Sequence, residues 1–466
     1  MKTHSNIKFQ RIGFALMSML LVLGCQNDDS DLQEAKYSTN PDVFIDTFSA
    51  GLNYAAFSGT DIFAFQVDSE VAYNKSSASM RFDVPNANDP AGAYAGGAFF
   101  TNTGRDLTSY NVLTFWAKSS VAATVGVIGY GIDLGENKYP ASIENVRLST
   151  VWKKYYIPIP DPSKLKTEKG MFYISAGPEN NNGYSFWVDE VKFEKLGTIG
   201  QGQASILNGK NPIQNSYIGV STTIEGLTCT FSLPNSVNQP VVLSPTYYNF
   251  VSSNNAVATV DTNGKVTAVG AGTAVITALF NGVKCAGSLT VNCSGAYIPA
   301  PVPTLPAANV ISIFSNKYTN VPVNYYNGYW QPWQTTVSND FTVNGDDVLN
   351  YTIFNFVGIE FSSPAVNATT MTNVHLDVFF PGPIAPNREL RVLIVDFGAD
   401  GVYSGGDDTR HSTTFMAPTL VSQKWVSINI PFSSMPNLKS RAHLAQIILE
   451  GGDGSTLFVD NIYFNK

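Results

Sequence analysis

Three stretches of sequence occur twice, once toward each end of the chain and in the same order. The matched pairs are VLTFWAKS at 112–119 with VHLDVFFP at 374–381, VWKKYYIPI at 151–159 with KWVSINIPF at 424–432, and FWVDEVKFEK at 186–195 with LFVDNIYFNK at 457–466. The interval between the second and third stretches is also nearly the same in both places. Shared order and spacing predict one fold that is present twice, at residues 41–197 and 307–466.

Each copy is predicted to be a β-sandwich. In the first copy, short runs with alternating or aromatic-rich sequence recur between turn signals. These runs are Val43–Phe48, Ile62–Val67, Ser79–Val84, Val112–Lys118, Thr124–Tyr130, Trp152–Ile159, Met171–Ser175 and Ser185–Phe193. The chain has 38 Gly, 25 Pro, 12% aromatic and only 14% charged residues, which is typical of turn-rich β modules. We expect an all-β, multimodular chain with two jelly-roll-type sandwiches.

The region between the two copies has a different pattern. Residues 255–278 alternate apolar and polar side chains around an Asn-Gly hairpin turn at Asn263. The stretch resembles the bacterial immunoglobulin-like group 2 domain, from which it departs upstream, where Phe250 replaces the usual Trp. The resemblance implies a third β-sandwich at 216–293 that acts as a spacer. Four prolines then predict a semi-rigid, Pro-rich linker at 294–306.

The first 40 residues are predicted to form a targeting segment. Basic residues precede an apolar run at 12–23, and Val-Leu-Gly-Cys follows and ends at Cys25. This pattern resembles the bacterial lipoprotein signal, which implies a signal peptide at 1–25 and a lipid on Cys25. The acidic start of the following tether, 26–40, resembles the export signal of Bacteroidota lipoproteins. The resemblance implies an outer-membrane location with the protein facing the cell exterior.

Charge and cysteine content restrict the other possibilities. The net charge of −8 argues against nucleic acid as a partner. Apart from Cys25 the chain has three cysteines, an odd number that allows one disulfide and one free thiol. The sequence favours pairing of Cys229 with Cys285 or Cys293 and leaves the choice open.

The strongest candidate site is the segment NYYNGYWQPW at 324–333. It has no aliphatic residue, and Gly and Pro interrupt any strand pattern, so a loop is predicted. Aromatic rings held in a loop present flat apolar faces, which fit the C–H face of a pyranose ring. The predicted sugar contacts are Trp330, Trp333, Tyr329, Tyr325 and Tyr326. The alternative is that some of these rings fill the rim of a sandwich core.

Weaker candidates lie nearby and in the first copy. Asp346 and Asp347 follow the aromatic segment and offer carboxylates to sugar hydroxyls. In the first copy, the candidate sugar contacts lie in or beside Gly-rich turns and comprise Tyr54, Tyr94, Tyr130 and Tyr139. Tyrosine is also common at the rim of a sandwich, which remains the alternative for these four.

A structural Ca²⁺ is a further expectation, and no catalytic cofactor is expected. The two copies resemble jelly-roll carbohydrate-binding modules, many of which hold Ca²⁺ between their first and last strands. The resemblance implies Asp46 and Asp189 as ligands in the first copy and Asp460 in the second. No catalytic motif is evident, because the sequence shows neither a Ser-His-Asp arrangement, nor a G-x-S-x-G elbow, nor paired glutamates of the β-glucanase type. We therefore expect a protein that is not an enzyme.

The whole arrangement resembles the surface glycan-binding lipoproteins of Bacteroidota polysaccharide utilisation loci. The resemblance implies capture of a polysaccharide, with a laminarin-type β-1,3-glucan as the first choice. It also implies an outer-membrane anchor, and an outer-membrane glycan importer complex and secreted glycoside hydrolases as partners. Two alternatives stay open: a β-glucan-active enzyme with an unrecognised site, and a cell-surface adhesin.

Overall fold

The chain is all-β, as predicted. The computed structural model describes residues 36–466 apart from 198, 235 and 405, so the predicted signal peptide and Cys25 lie outside the described residues. Within this described part, the only helical elements are short 3-10 turns, at Pro162–Lys164, Leu207–Gly209, Pro245–Tyr247, Ala307–Asn309 and Phe432–Ser434. None of its helices is long and apolar enough to cross a membrane. The chain divides into two compact units after Gly197.

The first unit is a sandwich of two antiparallel sheets. Its strands are β1 (Asp42–Phe44), β2 (Leu52–Ala56), β3 (Phe65–Asp68), β4 (Ser79–Val84), β5 (Ala95–Arg105), β6 (Val112–Ser119), β7 (Ala123–Tyr130), β8 (Ala141–Leu148), β9 (Lys153–Pro158), β10 (Glu168–Ala176) and β11 (Tyr184–Glu194). One sheet runs β3-β4-β11-β6-β9, with β1 paired to β11, and the other contains the order β8-β7-β10-β5-β2. Alternate residues of β11, such as Phe186 and Val188, are fully buried between the sheets, as the period of two requires.

The second unit begins with the immunoglobulin-like region. Its strands are β12 (Gln203–Ser205), β13 (Ile213–Ser216), β14 (Ser221–Thr223), β15 (Thr228–Ser232), β16 (Asn238–Leu243), β17 (Tyr248–Ser252), β18 (Ala258–Val260), β19 (Lys265–Ala268), β20 (Gly272–Phe280), β21 (Val283–Lys284) and β22 (Leu289–Cys293). One sheet has the order β13-β22-β20-β17, and a smaller one has β14-β19-β18. Because β13 pairs with β22, and β12 with β15, the region starts about a dozen residues before the predicted 216.

The three cysteines of this region are free thiols. Cys229, Cys285 and Cys293 are all buried, and none forms a disulfide. Burial raises the pKa of the Cys229 thiol to about 12 and that of the Cys285 thiol to about 11. The expected disulfide is therefore absent from this structure, and the thiols of Cys229 and Cys285 have little of the reactive thiolate form.

The C-terminal sandwich completes the second unit. Its strands are β23 (Val310–Phe314), β24 (Val337–Ser338), β25 (Phe341–Val343), β26 (Asp346–Thr352), β27 (Phe356–Glu360), β28 (Asn373–Phe379), β29 (Leu390–Asp396), β30 (Thr409–Phe415), β31 (Trp425–Pro431), β32 (Leu444–Glu450) and β33 (Leu457–Asn465). One sheet has the order β24-β26-β33-β28-β31, with β23 paired to β33, and the other has β27-β32-β29-β30. Between them lies a core rich in Val, Ile, Leu and Phe.

The two sandwiches share their strand order. The order β4-β11-β6-β9 in the first matches β26-β33-β28-β31 in the second, and β1 and β23 pair with equivalent strands. Both last strands also have a bulge at the same point, where Glu190 and Asn461 adopt positive φ values of 46° and 51°. This agreement gives the repeat of the sequence a structural counterpart.

One of the three sequence pairings is wrong by a single residue. Thr114 faces Lys192 in the first sandwich, and His375 faces Tyr463 at the equivalent point of the second. Thr114 therefore corresponds to His375, whereas pairing Val112 with Val374 would match it to Leu376. A shift of one residue exchanges the two faces of a strand, so only the structural register gives the correct inward and outward positions.

The Pro-rich segment 294–306 packs on the C-terminal sandwich. The indole Nε1 of Trp425 donates a hydrogen bond of 2.7 Å to the carbonyl of Ile298, and the amide of Asn461 donates one of 3.0 Å to the carbonyl of Pro301. Ala300 is buried against a cluster that includes Phe379. The segment is therefore held along the surface of this sandwich.

Candidate functional site

The aromatic segment forms a loop at one edge of the four-stranded sheet, as predicted. It begins where Tyr325 pairs with Glu360 of β27, and it ends at β24, which belongs to the opposite sheet. The amide of Gly328 also donates a hydrogen bond of 3.1 Å to the carbonyl of Gly358 in β27. The loop is thus fixed to the edge strand at two points.

Internal hydrogen bonds hold the loop in one shape. Asn327 accepts a bond of 3.0 Å from the amide of Tyr329 and another from the side chain of Gln334. Gln334 accepts one of 3.2 Å from the amide of Trp330. The side chain of Asn355 donates a hydrogen bond of 2.8 Å to the carbonyl of Trp333. These amide side chains replace the ladder bonds that a loop lacks, so the aromatic side chains are presented by a defined backbone.

Trp333 and Tyr329 are the exposed rings of the loop. The side chain of Trp333 is 73% exposed and that of Tyr329 is 48% exposed. Among the described residues, no aromatic ring packs on Trp333. An exposed indole on a fixed loop leaves a large apolar face available to a ligand.

Trp330 lies closer to the sheet. Its indole packs over Gly358, where a β-carbon would lie only 2.5 Å from Cζ2, and its ring centroid is 6.2 Å from that of Phe356. It also joins an apolar cluster on this face with Ile448 and Val395. The indole Nε1 donates a hydrogen bond of 3.3 Å to the Tyr325 hydroxyl. Trp330 is thus a half-buried wall of the site, oriented by its neighbours.

A row of polar groups lies beside this wall. The Tyr325 hydroxyl donates a hydrogen bond of 2.7 Å to one carboxylate oxygen of Glu360, and the Gln446 amide donates one of 2.9 Å to the same oxygen. Ser362 donates 2.7 Å to the other oxygen. Burial alone would raise the pKa of Glu360, but these three hydrogen bonds outweigh it and lower that pKa. Glu360 is therefore a carboxylate at neutral pH.

The outer face of the sheet continues beyond Trp330. Strand register places Arg391 opposite Glu450, and Leu393 lies beside Ile448. Arg391 and Glu450 are partly exposed, with 3.9 Å between Nε and Oε2. Aromatic and aliphatic surface flanked by charged and amide groups is suited to a ligand that has apolar faces and hydroxyl edges, such as a sugar chain.

Two parts of the sequence prediction for this sandwich are wrong. Tyr326 turns inward, packs against the core and Phe314, and donates its hydroxyl to the carbonyl of Ile313 at 2.9 Å. It anchors the loop and does not extend an exposed platform. Asp346 and Asp347 lie at the start of β26 and not beside Trp330. Asp347 accepts hydrogen bonds from Asn316 (3.3 Å) and from Thr342 (2.6 Å).

The four tyrosines predicted in the first unit have different environments. Tyr130 is fully buried and packs on Phe193, so its selection as a sugar contact is wrong. Tyr54 is half-buried against Phe65 and Phe99, and Tyr139 is half-buried beneath the ammonium groups of Lys138 and Lys164. Only Tyr94 is largely exposed, with 49% of its side chain accessible.

Sequence reasoning missed Tyr173, which is only 9% exposed although it lies on the face of β10 that points away from the sandwich core. Tyr173 of β10 lies between Gly129 of β7 and Ala98 of β5, and Phe57 meets its ring edge to face at a centroid distance of 6.4 Å. Alternation within β10 would have indicated this outward position, because the neighbouring Phe172 and Ile174 are fully buried.

The predicted cation ligands Asp46 and Asp189 do meet in the first unit. The Ser76 hydroxyl lies 3.1 Å from Asp46 Oδ1, 3.3 Å from Asp189 Oδ1, and 3.2 and 2.8 Å from the carbonyls of Ile45 and Ala78. A hydroxyl donates only one hydrogen bond, so four acceptor oxygens converge on a single proton. Two carboxylates and two carbonyls are the donor types that Ca²⁺ takes, and the set fits that ion.

Asp460 occupies the equivalent position in the C-terminal sandwich, among other carboxylates. Burial, and then the nearby Asp346, raise its pKa to about 7. One oxygen of Asp346 is buried there without a hydrogen-bond partner among the described residues. Among all the residues that the structure describes, no three His, Cys, Asp or Glu side chains lie close enough together to form a metal site by themselves. Backbone oxygens would therefore be needed at either position.

A protein-family model matches part of the region between the two sandwiches. A model of the intimin immunoglobulin-like domain matches residues 246–279. The match confirms an immunoglobulin-like region and leaves the group 2 subdivision untested. None of the curated proteins matches the chain.

Solved structures similar to the chain include carbohydrate-binding modules. A family 30 module of a Clostridium thermocellum cellulosomal cellulase has 17% identity and a TM-score of 0.24, and covers 35% of this chain and 96% of its own. A family 11 module of the same organism, in complex with a β-1,3-1,4-mixed-linked tetrasaccharide, has 16% identity, a TM-score of 0.24, and coverages of 35% and 98%. The tandem family 22 modules of Paenibacillus barcinonensis Xyn10C have 10% identity, a TM-score of 0.22, and coverages of 93% and 98%.

Proposed function

We propose that this protein is a non-catalytic polysaccharide-binding protein whose main site is the loop 324–336 with the outer face of β27 and β32. The observation that carries the proposal is the exposed Trp333 on a loop fixed by hydrogen bonds. Exposed indole is unfavourable in water unless a ligand covers it. The fixed loop also means that little conformational entropy is lost when a ligand binds.

Sugar chemistry suits the groups in this site. One face of an indole loses roughly 80 Å² of apolar area under a pyranose, which contributes about 2 kcal/mol at ~25 cal/mol/Å². The Glu360 carboxylate supplies an acceptor for hydroxyl groups beside the wall formed by Trp330, and the buried Gln446 amide holds this carboxylate in place. The three rings of the site, those of Trp330, Trp333 and Tyr329, support a dissociation constant of roughly 10–100 μM after association costs.

Our first choice of ligand is a β-glucan of the laminarin type, and the sequence resemblance to surface glycan-binding lipoproteins motivates it. The similar family 11 module was solved with a mixed-linkage β-glucan fragment. In the cell we propose that lipid on Cys25 anchors the protein to the outer membrane, facing outward. It would capture the polysaccharide there for hydrolases and an importer.

We further propose a structural Ca²⁺ in the first unit, held by Asp46, Asp189 and the carbonyls of Ile45 and Ala78. Its support is the convergence of these oxygens around Ser76. The ion would tie the end of β1 to β11 and to the segment before β4.

Affinity gel electrophoresis tests the proposed function. The chain from residue 28 is run through gels with laminarin, mixed-linkage glucan, xylan, mannan or alginate, beside the Trp330→Ala/Trp333→Ala variant. The matched control is Tyr37→Ala, which removes an exposed aromatic ring outside the loop. We expect retardation by a β-glucan that the double variant loses and the control keeps. Retardation by none of the glycans would refute glycan capture and favour the adhesin, and release of reducing ends would indicate an enzyme.

A further inference from the structure

The first unit carries its own exposed apolar loop at the position that the aromatic loop occupies in the C-terminal sandwich. In the first unit, β2 pairs with β5, residues 57–64 follow, and β3 then joins β4 in the opposite sheet. In the C-terminal sandwich, Tyr325 pairs with β27, residues 326–336 follow, and β24 then joins β26. The strands β5 and β27 pair with β10 and β32, which hold equivalent places in their sheets. The two loops are therefore counterparts.

Both loops expose large apolar side chains. Phe63 is 81% exposed and Ile62 is 67% exposed, and the half-exposed Tyr94 belongs to the adjoining segment. The Tyr94 ring packs near Gly177 and Gly59, so its position is set by close contacts. Phe57, at the start of the loop, packs edge to face against Tyr173 of β10, which is itself buried.

Hydrogen bonds fix the loop of the first unit as they fix the aromatic loop. Asp61 accepts a bond of 2.9 Å from the amide of Phe63 through its side chain, and one of 3.0 Å from Ala64 through its carbonyl. The amide of Asp61 donates 3.0 Å to the carbonyl of Tyr94, and Ala64 is buried. These hydrogen bonds hold the backbone that carries Ile62 and Phe63 in one conformation.

We propose that Phe63, Ile62 and Tyr94 form a second contact site for a neutral polysaccharide chain, so that one protein binds glycan at two places. The inference rests on the proposed function, because it takes the ligand class from the aromatic loop. The phenyl and phenol rings contact the C–H faces of sugar residues, and the carboxylate of Asp61 lies at their base. Two sites on one chain raise the avidity for a long polysaccharide over that for a short oligosaccharide.

Calorimetry of the chain from residue 28 with laminarihexaose and with a mixed-linkage glucan hexasaccharide tests the inference. We expect two molecules of one oligosaccharide per chain. The Trp330→Ala/Trp333→Ala variant should retain one site, and Phe63→Ala/Tyr94→Ala should remove the other, with at least a tenfold loss of its affinity. Tyr37→Ala serves as the control. An unchanged melting temperature checks that the Phe63→Ala/Tyr94→Ala variant folds, since both of its substituted side chains are exposed.

A second measurement is independent of substitution. Hydrogen–deuterium exchange of the wild-type chain should slow in residues 57–64 when the oligosaccharide is added. The second site would be overturned if the wild-type chain bound one oligosaccharide, the Trp330→Ala/Trp333→Ala variant bound none, and residues 57–64 gained no protection. The proposed function would then remain intact. No binding by the wild-type chain would overturn both.

Discussion

Replacing Gly358 with alanine is expected to push the Trp330 indole away from β27. A β-carbon at this position would lie 2.5 Å from Cζ2 and 2.9 Å from Cζ3 of the indole, and closer still to Cη2. Ordinary carbon contacts are about 3.5–4.0 Å. The backbone of Gly358 does not have positive φ, and β27 is paired to β32 at this point, so the strand accepts alanine and the ring has to move.

The expected cost follows from these contacts. A displacement of roughly 1 Å breaks the 3.3 Å hydrogen bond from the Trp330 indole to Tyr325 and loosens the contact with Phe356. Overpacking of this kind costs about 1–3 kcal/mol, and the reduced freedom of the unfolded chain returns about 0.4–1 kcal/mol. We expect a net loss of about 1–2 kcal/mol in the free energy of unfolding of this sandwich.

Urea denaturation in a double-mutant cycle measures the effect. In the Trp330→Ala background there is no ring to displace, so Gly358→Ala should become neutral or slightly stabilising. Gly382→Ala, where nothing lies within 4 Å of an added β-carbon, is the matched control and should be near neutral in both backgrounds. An equal cost of Gly358→Ala with and without the Trp330 ring would refute the packing described here.

Three further predictions follow from buried groups. Burial raises the pKa of Glu168 from 4.5 to about 7, so its contribution to stability is full below pH 4.5 and is lost as the pH rises through 7. Glu168→Gln should therefore be more stable than wild type by up to roughly 3 kcal/mol at pH 8, with the difference vanishing at pH 4 in urea titrations. In the chain from residue 28, a thiol reagent should count three thiols only after denaturation without reductant, since Cys229, Cys285 and Cys293 are buried and free; one thiol would indicate a disulfide. Removal of Ca²⁺ by chelation should lower the melting temperature of the wild type and leave Asp189→Asn unchanged; equal shifts would argue against the proposed ion.

The sequence predicted the elements whose side chains alternate most regularly. Strand β4 begins and ends where it was expected, and β11 differs by one residue at each end, because buried and partly exposed residues alternate along β11 on either side of its bulge. The loop at 324–333 was also predictable, since Gly and Pro interrupt it and aliphatic residues are absent. Local composition and period were sufficient in these places.

Prediction failed where long-range pairing decides the structure. Strand β5 was missed, because its small residues AGGAFF give no period and become a strand only between β2 and β10. The run at 62–67 was predicted as a strand, but β3 begins at Phe65, and Ile62 and Phe63 lie in a turn closed by Asp61. Hydrogen bonds that Asp61 accepts from the backbone of Phe63 and Ala64 override the alternation, so an apparent core pattern is exposed.

The candidate site was predictable in part. Trp333 and Tyr329 were expected to be exposed and are exposed, whereas Tyr326 turns into the core to anchor the loop. Tyr130 could have been excluded by alternation alone, since it shares a face of β7 with the buried Ile128. The polar groups Glu360 and Gln446 reach the site only through the pairing of β27 with β32, which no local pattern reveals.

Calorimetric titration of laminarihexaose into the wild-type chain and the Trp333→Ala variant tests the central claim most directly. The indole face contributes about 2 kcal/mol, so its loss should weaken binding at the aromatic loop by roughly 30-fold, from a dissociation constant of about 10–100 μM. Binding of the predicted strength that Trp333→Ala weakens to this extent would support glycan capture by this loop. Wild-type affinity in the variant would contradict it.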